Sequence, residues 1–475
     1  MGNGTGMTSP DDRLDDVLAH LERRRPETER LLAELLRIPS VSAQPAHAGD
    51  CAEAARWLAS ELRALGYEVS IDRTPRHPIV RATHPGTRPG PRVLFYGHYD
   101  VQPPEPLEPW SQPPFEPRVV EGPHGRRIVA RGAVDDKGQV MTWLAALRAW
   151  HEAEGGPPLP VTALIEGEEE IGSENLEAYL AENARLLAAD VAVISDTGMW
   201  DIDTPAITTR LRGMAYMEVA VTGASSDLHS GAFGGSALNP LNALARALGR
   251  LHDADGRVAI PGFYDGIVEP SPDILRAWRD LAFDEGASLR AVGLRAPVGE
   301  KDRSALERLW SRPTADINGV WGGYQGEGTK TVIAREARAK VSFRLVPGQD
   351  PERVATAFER FVRDALPEGA GAAFTRHTCS PGIELAADGR FMAAARRALR
   401  EEWGREAVLV GCGGSIPVVE KMRRLLGIDS LMVGFGLEDD GVHGPNEKFE
   451  LACLHRGARS HARILARLAG AAAAP

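Results

Sequence analysis

Pro160-Val161-Thr162-Ala163-Leu164-Ile165-Glu166-Gly167-Glu168-Glu169-Glu170 is the stretch on which the fold turns. A short apolar run that opens after proline and ends abruptly in acids predicts a buried strand over 161–165, with the carboxylates at its carboxyl end. Working outward, residues 93–96 (Val-Leu-Phe-Tyr) before Gly97-His98 and residues 191–194 (Val-Ala-Val-Ile) before Asp196 read the same way. Helical periodicity fills the gaps at 52–65 and 140–151, and a strand is expected at 67–71. Residues 11–38 form an amphipathic helix on the spacing of Leu14, Val17, Leu18, Leu21, Leu31, Leu32, Leu35 and Leu36, with Pro26 kinking or dividing it. Strands alternating with helices of this length predict an α/β fold, a doubly wound and mostly parallel sheet covered on both faces.

The texture changes near Ile207. Strands are expected at 215–222 and 373–378 and helices at 239–251 and 351–366, while residues 332–345 alternate apolar and polar like a sheet edge. After Ser380 the first texture returns, with helices at 391–403 and 418–426 and a strand at 430–434. The expected organisation is therefore one domain made of residues 1–206 and 380–475, interrupted by an inserted α/β sandwich over 207–379.

Composition narrows the function. In 475 residues, 43% are hydrophobic and 25% charged, values of a globular chain with a real core. The 66 acids against 55 bases leave a net charge of −11, and no dense basic run occurs outside short pieces such as Arg23–Arg25, so nucleic acid is not an expected partner. No apolar run approaches a membrane span. Cys51, Cys379, Cys412 and Cys453 stand far apart without a CxxC, the usage of reduced thiols in a cytosol. The first ten residues lack a cationic and apolar leader, and Gly6 stands where a myristoylation motif needs Ser or Thr, so a cytoplasmic protein is expected.

Four segments carry chemistry, three of them at carboxyl ends of buried strands, where open α/β sheets place ligands. Gly97-His98-Tyr99-Asp100 offers a histidine that, taken alone, is equally a hydrogen-bonded core residue. Asp135-Asp136-Lys137 pairs carboxylates that repel unless a cation compensates; otherwise they form an exposed acidic turn. Glu166, Glu168, Glu169 and Glu170 crowd one strand end, or open a solvated helix. Asp196 ends another strand, and His443 lies in Asp439-Asp440-Gly-Val-His443-Gly-Pro-Asn-Glu447. Together they supply histidines and carboxylates without cysteine, a donor set suited to paired divalent ions, Zn²⁺ first and Mn²⁺ or Co²⁺ next.

The strings Gly97-His-Tyr-Asp-Val-Gln-Pro103, Arg131-Gly-Ala-Val-Asp-Asp-Lys-Gly138 and Glu166–Ser173 resemble the signatures of the carnosinase–aminoacylase metallopeptidase family, in order and over nearly the whole chain. The resemblance implies a catalytic domain with two metal ions and an inserted lid or dimerisation domain. It implies that His98 and Asp196 hold one ion, Glu170 and His443 the other, and that Asp135 bridges them. It further implies Asp100 as the carboxylate orienting His98, Glu169 as general base and a cis bond at Asp135–Asp136.

More positions match the dipeptidase branch than the deacylase branches. Asp227-Leu-His229-Ser-Gly-Ala-Phe-Gly-Gly235 resembles the lid motif whose histidine reaches the partner subunit's site in a homodimer. Thr331, Arg344 and Ser415 match substrate-binding positions, with Thr331 as a second candidate to act in trans. Gly413-Gly-Ser415-Ile-Pro417 also reads unaided as an anion site at a helix start, or as a plain capped turn. Two positions depart from the carnosinase-like pattern, Ala334 in place of proline and Gly444-Pro445 in place of a polar pair, and both bear on substrate choice. The expectation is a two-metal dipeptidase for small peptides, in which a metal-bridging hydroxide attacks the amide. An N-acyl-amino-acid deacylase on the same scaffold is the alternative, and a metal-binding dimer without turnover a third.

Overall fold

The computed structural model describes residues 10–414 and 416–471. The readings of the amino terminus, of Ser415 and of the extreme Ala-rich tail lie outside them. Two compact units emerge: one of Met1–Thr209, Leu385–Leu409 and Pro417–Pro475, the other of Arg210–Glu384 and Val410–Ile416. The second unit thus begins three residues after the expected 207, ends at 384 instead of 379, and takes in a short return segment at 410–416.

At the centre of the first unit lie Val161–Glu166, Val93–His98, Val191–Ile194 and Ser430–Met432, side by side and all parallel. Every residue of Val93–His98 and Val191–Ile194 is buried, so both side-chain faces are covered and neither run alternates with polar residues. The flanks are antiparallel: Ile79–His84 pairs with Val161–Glu166, Glu68–Asp72 with Ile79–His84, and Ala206–Leu211 with Ser430–Met432. The sheet is mixed, parallel where the site stands. Sequence reading missed Ile79–His84, whose Arg81, Thr83 and His84 dilute the apolar signal.

Pro26 divides the amino-terminal helix rather than kinking it. Pro10–Arg23 and Arg25–Leu36 are separate helices, and Pro26 sits in the first turn of the second, where its missing N–H leaves no bond broken. Lys137–Glu154 starts directly behind the Asp135–Asp136 pair. Gly138 makes this tight start feasible, because a Cβ there would stand 1.9 Å from the Ala133 carbonyl oxygen. Trp143 of this helix stacks on Phe95 of the central strand at 4.4 Å between ring centroids.

The carboxyl-terminal helix Leu451–Ala471, which packs on Lys137–Glu154, was not anticipated. Its buried face runs through Leu451, Leu454, Ala458, His461, Leu465 and Leu468, a helical period masked in the sequence by the histidine in the middle. His461 is fully buried edge-on to Trp143 and Phe435, shares a 3.0 Å hydrogen bond with the Ser195 hydroxyl, and burial pushes its pKa down to about 3.

In the second unit, Thr314–Gly322, Glu336–Leu345, Gly213–Thr222 and Gly371–Ser380 form a four-stranded antiparallel sheet in that order. Pro240–Leu248 and Pro351–Ala365 pack against it, capped by the side-chain oxygens of Asn239 and Asp350 just before each proline. The expected edge at 332–345 is corrected: Glu336–Leu345 is an interior strand and Thr314–Gly322 an edge. Strict alternation along Glu336–Leu345 reports one face packed on helices, not an unpaired side.

Candidate active site

Because the four central strands are parallel, their carboxyl ends meet on one edge of the sheet. His98 ends its strand, Glu169 and Glu170 sit in the 3₁₀ turn Glu169–Ile171 just beyond Glu166, and Asp196 follows Val191–Ile194. Asp135 arrives on the loop before Lys137–Glu154, joined to Asp136 by a cis peptide bond. His443 comes from the loop before Lys448–Glu450, with a positive φ of 60°.

Asp135 is the centre of the arrangement. One of its oxygens lies 3.1 Å from His98 Nε2, the other 3.0 Å from His443 Nε2, and His443 Nε2 is 3.2 Å from Glu170. Two triads result, His98–Asp135–Asp196 and Asp135–Glu170–His443, each with donor atoms within 4.8 Å of one another.

The structure also sorts carboxylates that sequence leaves equivalent. Glu166 accepts from the Tyr96 hydroxyl at 2.6 Å and from Ser173 at 2.9 Å. Glu168 accepts from Thr74, the His77 amide and Asn175. Both are tied to groups of the surrounding frame, whereas Glu170 faces His443. Asp136 accepts from the His98 amide, and Asp440 from the Leu437 amide and Lys448, so neither faces the triads as Asp135 does.

Asp100 is buried beside His98, its carboxylate 3.3 Å from Nδ1, and it also accepts from the Glu169 and Glu170 amides at 3.2 and 3.1 Å. Asp100 thus holds the His98 ring, whose Nδ1 is also 3.1 Å from the Asp100 carbonyl, and the turn carrying two acids. Residues that sequence reading quoted but did not assign complete the frame. Gln102 donates to the Glu170 carboxylate at 2.7 Å, and Glu447 accepts from the Asp135 amide at 3.1 Å. The signal available was proximity: Gln102 and Glu447 stand four residues from His98 and His443.

Electrostatics show what the cluster lacks. Burial pushes Asp196 up to about 7, with the Asp135 charge adding to it. Burial and then the charges of Asp196, Glu170 and Asp100 hold Glu169 well above the usual carboxylate range, against the pull of His98. Burial would lower His98, but hydrogen bonds to the Asp100 and Asp135 carboxylates raise it well above normal, and Asp135 and Glu170 lift His443 to about 10. Asp135 falls below its usual value despite burial, because His443 and His98 both bond it. Carboxylates in the cluster outnumber the cations that face them. Nitrogen and oxygen donors in two sets sharing one carboxylate fit a pair of divalent cations.

The remaining candidates lie in the second unit, except Ser415, which is outside the described residues. His229 is exposed, and its Nδ1 accepts from the Gly231 amide at 3.0 Å, capping the short turn Ser230–Phe233. Residues Leu228–His229 pair with Val332–Ile333, and the Ser230 amide bonds the Thr331 carbonyl, so His229 and Thr331 share one small ribbon. Arg344, half-buried on Glu336–Leu345, is close enough to Arg212 that the two repel: burial first, then the Arg344 charge, lowers Arg212 to about 10. Arg212 Nε donates to the Gly413 carbonyl at 2.9 Å. Sequence reading missed Arg212, which no motif flags.

Two sets of histidines and carboxylates sharing one aspartate, beside a glutamate whose pKa burial raises, define a metal-dependent hydrolase. The chain belongs to the family described as Peptidase family M20/M25/M40, which it matches over residues 94–467. It is 30% identical over 463 residues to the Cys-Gly metallodipeptidase dug1 of Schizosaccharomyces pombe, covering 94% of this chain and 96% of that one. It is 29% identical over 466 residues to the human Beta-Ala-His dipeptidase, covering 94% and 91%. Among solved structures, human carnosine dipeptidase 1 superposes with a TM-score of 0.82 at 28% identity, covering 96% of this chain and 99% of that one. The chain is thus a peptidase of this family. Among its described residues no helix is long and apolar enough to cross a membrane.

Proposed function

We propose that this peptidase is a cytoplasmic two-metal dipeptidase, zinc being the first choice of ion. The observation that supports it best is Asp135, set between His98 and His443 so that one carboxylate serves both triads. His98, Asp135 and Asp196 would hold one ion and Asp135, Glu170 and His443 the other. Ions so held supply a Lewis acid for the scissile carbonyl and lower the pKa of water at the site. Glu169 takes the proton of the attacking water and returns it to the leaving amine. Asp100 keeps the His98 ring oriented.

Arg344, Ser415 and, in this reading, Arg212 hold the substrate's terminal carboxylate, with Thr331 alongside. Two like charges in a half-buried setting gain from an anion between them, which restricts the enzyme to short substrates with a free carboxyl end. Dipeptides are expected to be cleaved and their carboxyl-amidated forms to be poor substrates. Arg344→Lys should raise KM for free dipeptides about 10–100-fold, the cost of one charge-assisted hydrogen bond. Steady-state rates on dipeptides, amidated dipeptides and N-acetyl or N-succinyl amino acids decide the matter. Equal rates on free and amidated dipeptides remove the carboxylate role, and preference for N-acyl amino acids makes the chain a deacylase.

In this reading His229 acts in the site of the partner subunit of a homodimer, where it would donate to the developing oxyanion. Its imidazole is exposed, and among the described residues it is engaged at Nδ1 by its own turn, which leaves Nε2 for a substrate. Mixing Glu169→Gln with His229→Ala chains tests this. Random exchange makes half the dimers mixed and half of their sites whole, so activity should recover to roughly a quarter of wild type. If verified exchange yields only the mean of the two parents, His229 does not act in trans.

A further inference from the structure

Arg131 and Glu447 form an ion pair at 2.9 Å, and each is only 1% exposed. Glu447 uses both oxygens twice: one accepts from Arg131 and the Gly132 amide at 2.8 Å, the other from the Val134 and Asp135 amides at 3.0 and 3.1 Å. Its acceptor capacity is filled by the loop that delivers Asp135. Arg131 uses its other arm differently. Nη2 donates to the His443 carbonyl at 3.1 Å and the Pro103 carbonyl at 3.3 Å, and the guanidinium lies 5.4 Å from the Trp110 ring centre. Pro103 follows Gln102, whose amide donates to both the Glu170 carboxylate and the Glu170 carbonyl.

Three loops are joined by this one pair. They carry Asp135, His443 and, through Gln102, Glu170, which are the members of one triad. The other triad takes its separate members, His98 and Asp196, from strand ends, where His98 is fixed by Asp100 and the backbone ladder does the holding. We propose that Arg131 and Glu447 are positioning residues that preorganise the Asp135–Glu170–His443 metal position selectively, while the His98–Asp135–Asp196 position is built by the sheet. A loop-borne ligand set without such a clamp must be ordered by the ion itself, which weakens binding.

The inference rests on the two-metal reading, and titrating the metal-free full-length chain with Zn²⁺ or Co²⁺ by calorimetry separates them. Wild type binding a single ion sinks the two-metal reading. With two binding steps in wild type, Arg131→Lys should weaken one step at least tenfold and leave the other within about threefold. Lysine keeps the charge but lacks the fork that reaches Glu447, His443 and Pro103 together. Glu447→Gln should act in the same direction, because its NH₂ group faces amide donors. Unchanged steps, or equal weakening of both in a folded variant, overturn the inference. Hydrogen exchange of the metal-free wild type tests it without any variant. The Gly132, Val134 and Asp135 amides should be protected at least tenfold over the neighbouring loop, and exchange at the open-loop rate also overturns it.

Discussion

Glu169→Gln is expected to keep its full complement of metal and to lose about 10²–10⁴-fold in kcat, the range supplied by a positioned general base. The turn that presents residue 169 is anchored by its backbone, since the Glu169 and Glu170 amides bond Asp100. A glutamine of the same size therefore leaves the loop and both triads in place while removing the group that accepts a proton. Elemental analysis and steady-state kinetics on one sample check both halves. Turnover within a few-fold of wild type means that another group is the base.

Asp135→Ala is expected to do the reverse, releasing both ions and abolishing activity together. Replacing groups that merely orient a ligand costs about 10–100-fold in metal affinity, and Asp135 belongs to both triads, so the loss should exceed that range at each position. Without it, His98 and His443 also lose the carboxylate each faces at about 3 Å. Loss of one ion only would show that Asp135 serves a single position. Paired with Glu169→Gln, the experiment separates holding the metals from using them.

Much of this was legible beforehand because the chemistry of a strand end is local. An apolar run that stops in acids or histidine can be read from a few adjacent residues, and 93–96, 161–165 and 191–194 all lie within strands of the parallel centre. Polar interruptions hid the rest. Arg81 and Thr83 obscured a flanking strand, and His461 broke the pattern of the last helix while being one of its buried residues. The 332–345 alternation was read correctly as β structure and misplaced in its sheet, because period two records a covered face and says nothing about neighbours.

The sequence alone determined the α/β class and the set of residue types able to hold metal, since periodicity and donor identity are properties of short segments. Resemblance to a family assigned individual roles within that set. Only the tertiary structure decided which of Glu166, Glu168, Glu169 and Glu170 are engaged by structural partners and which remain for the site. It alone set Asp135 rather than Asp136 between two histidines over 300 residues apart, brought Arg212 beside Arg344, and showed Glu447 holding the loop of Asp135. Those facts are distances between segments remote in sequence. They follow from how parallel strands bring their ends together, and no local pattern encodes them.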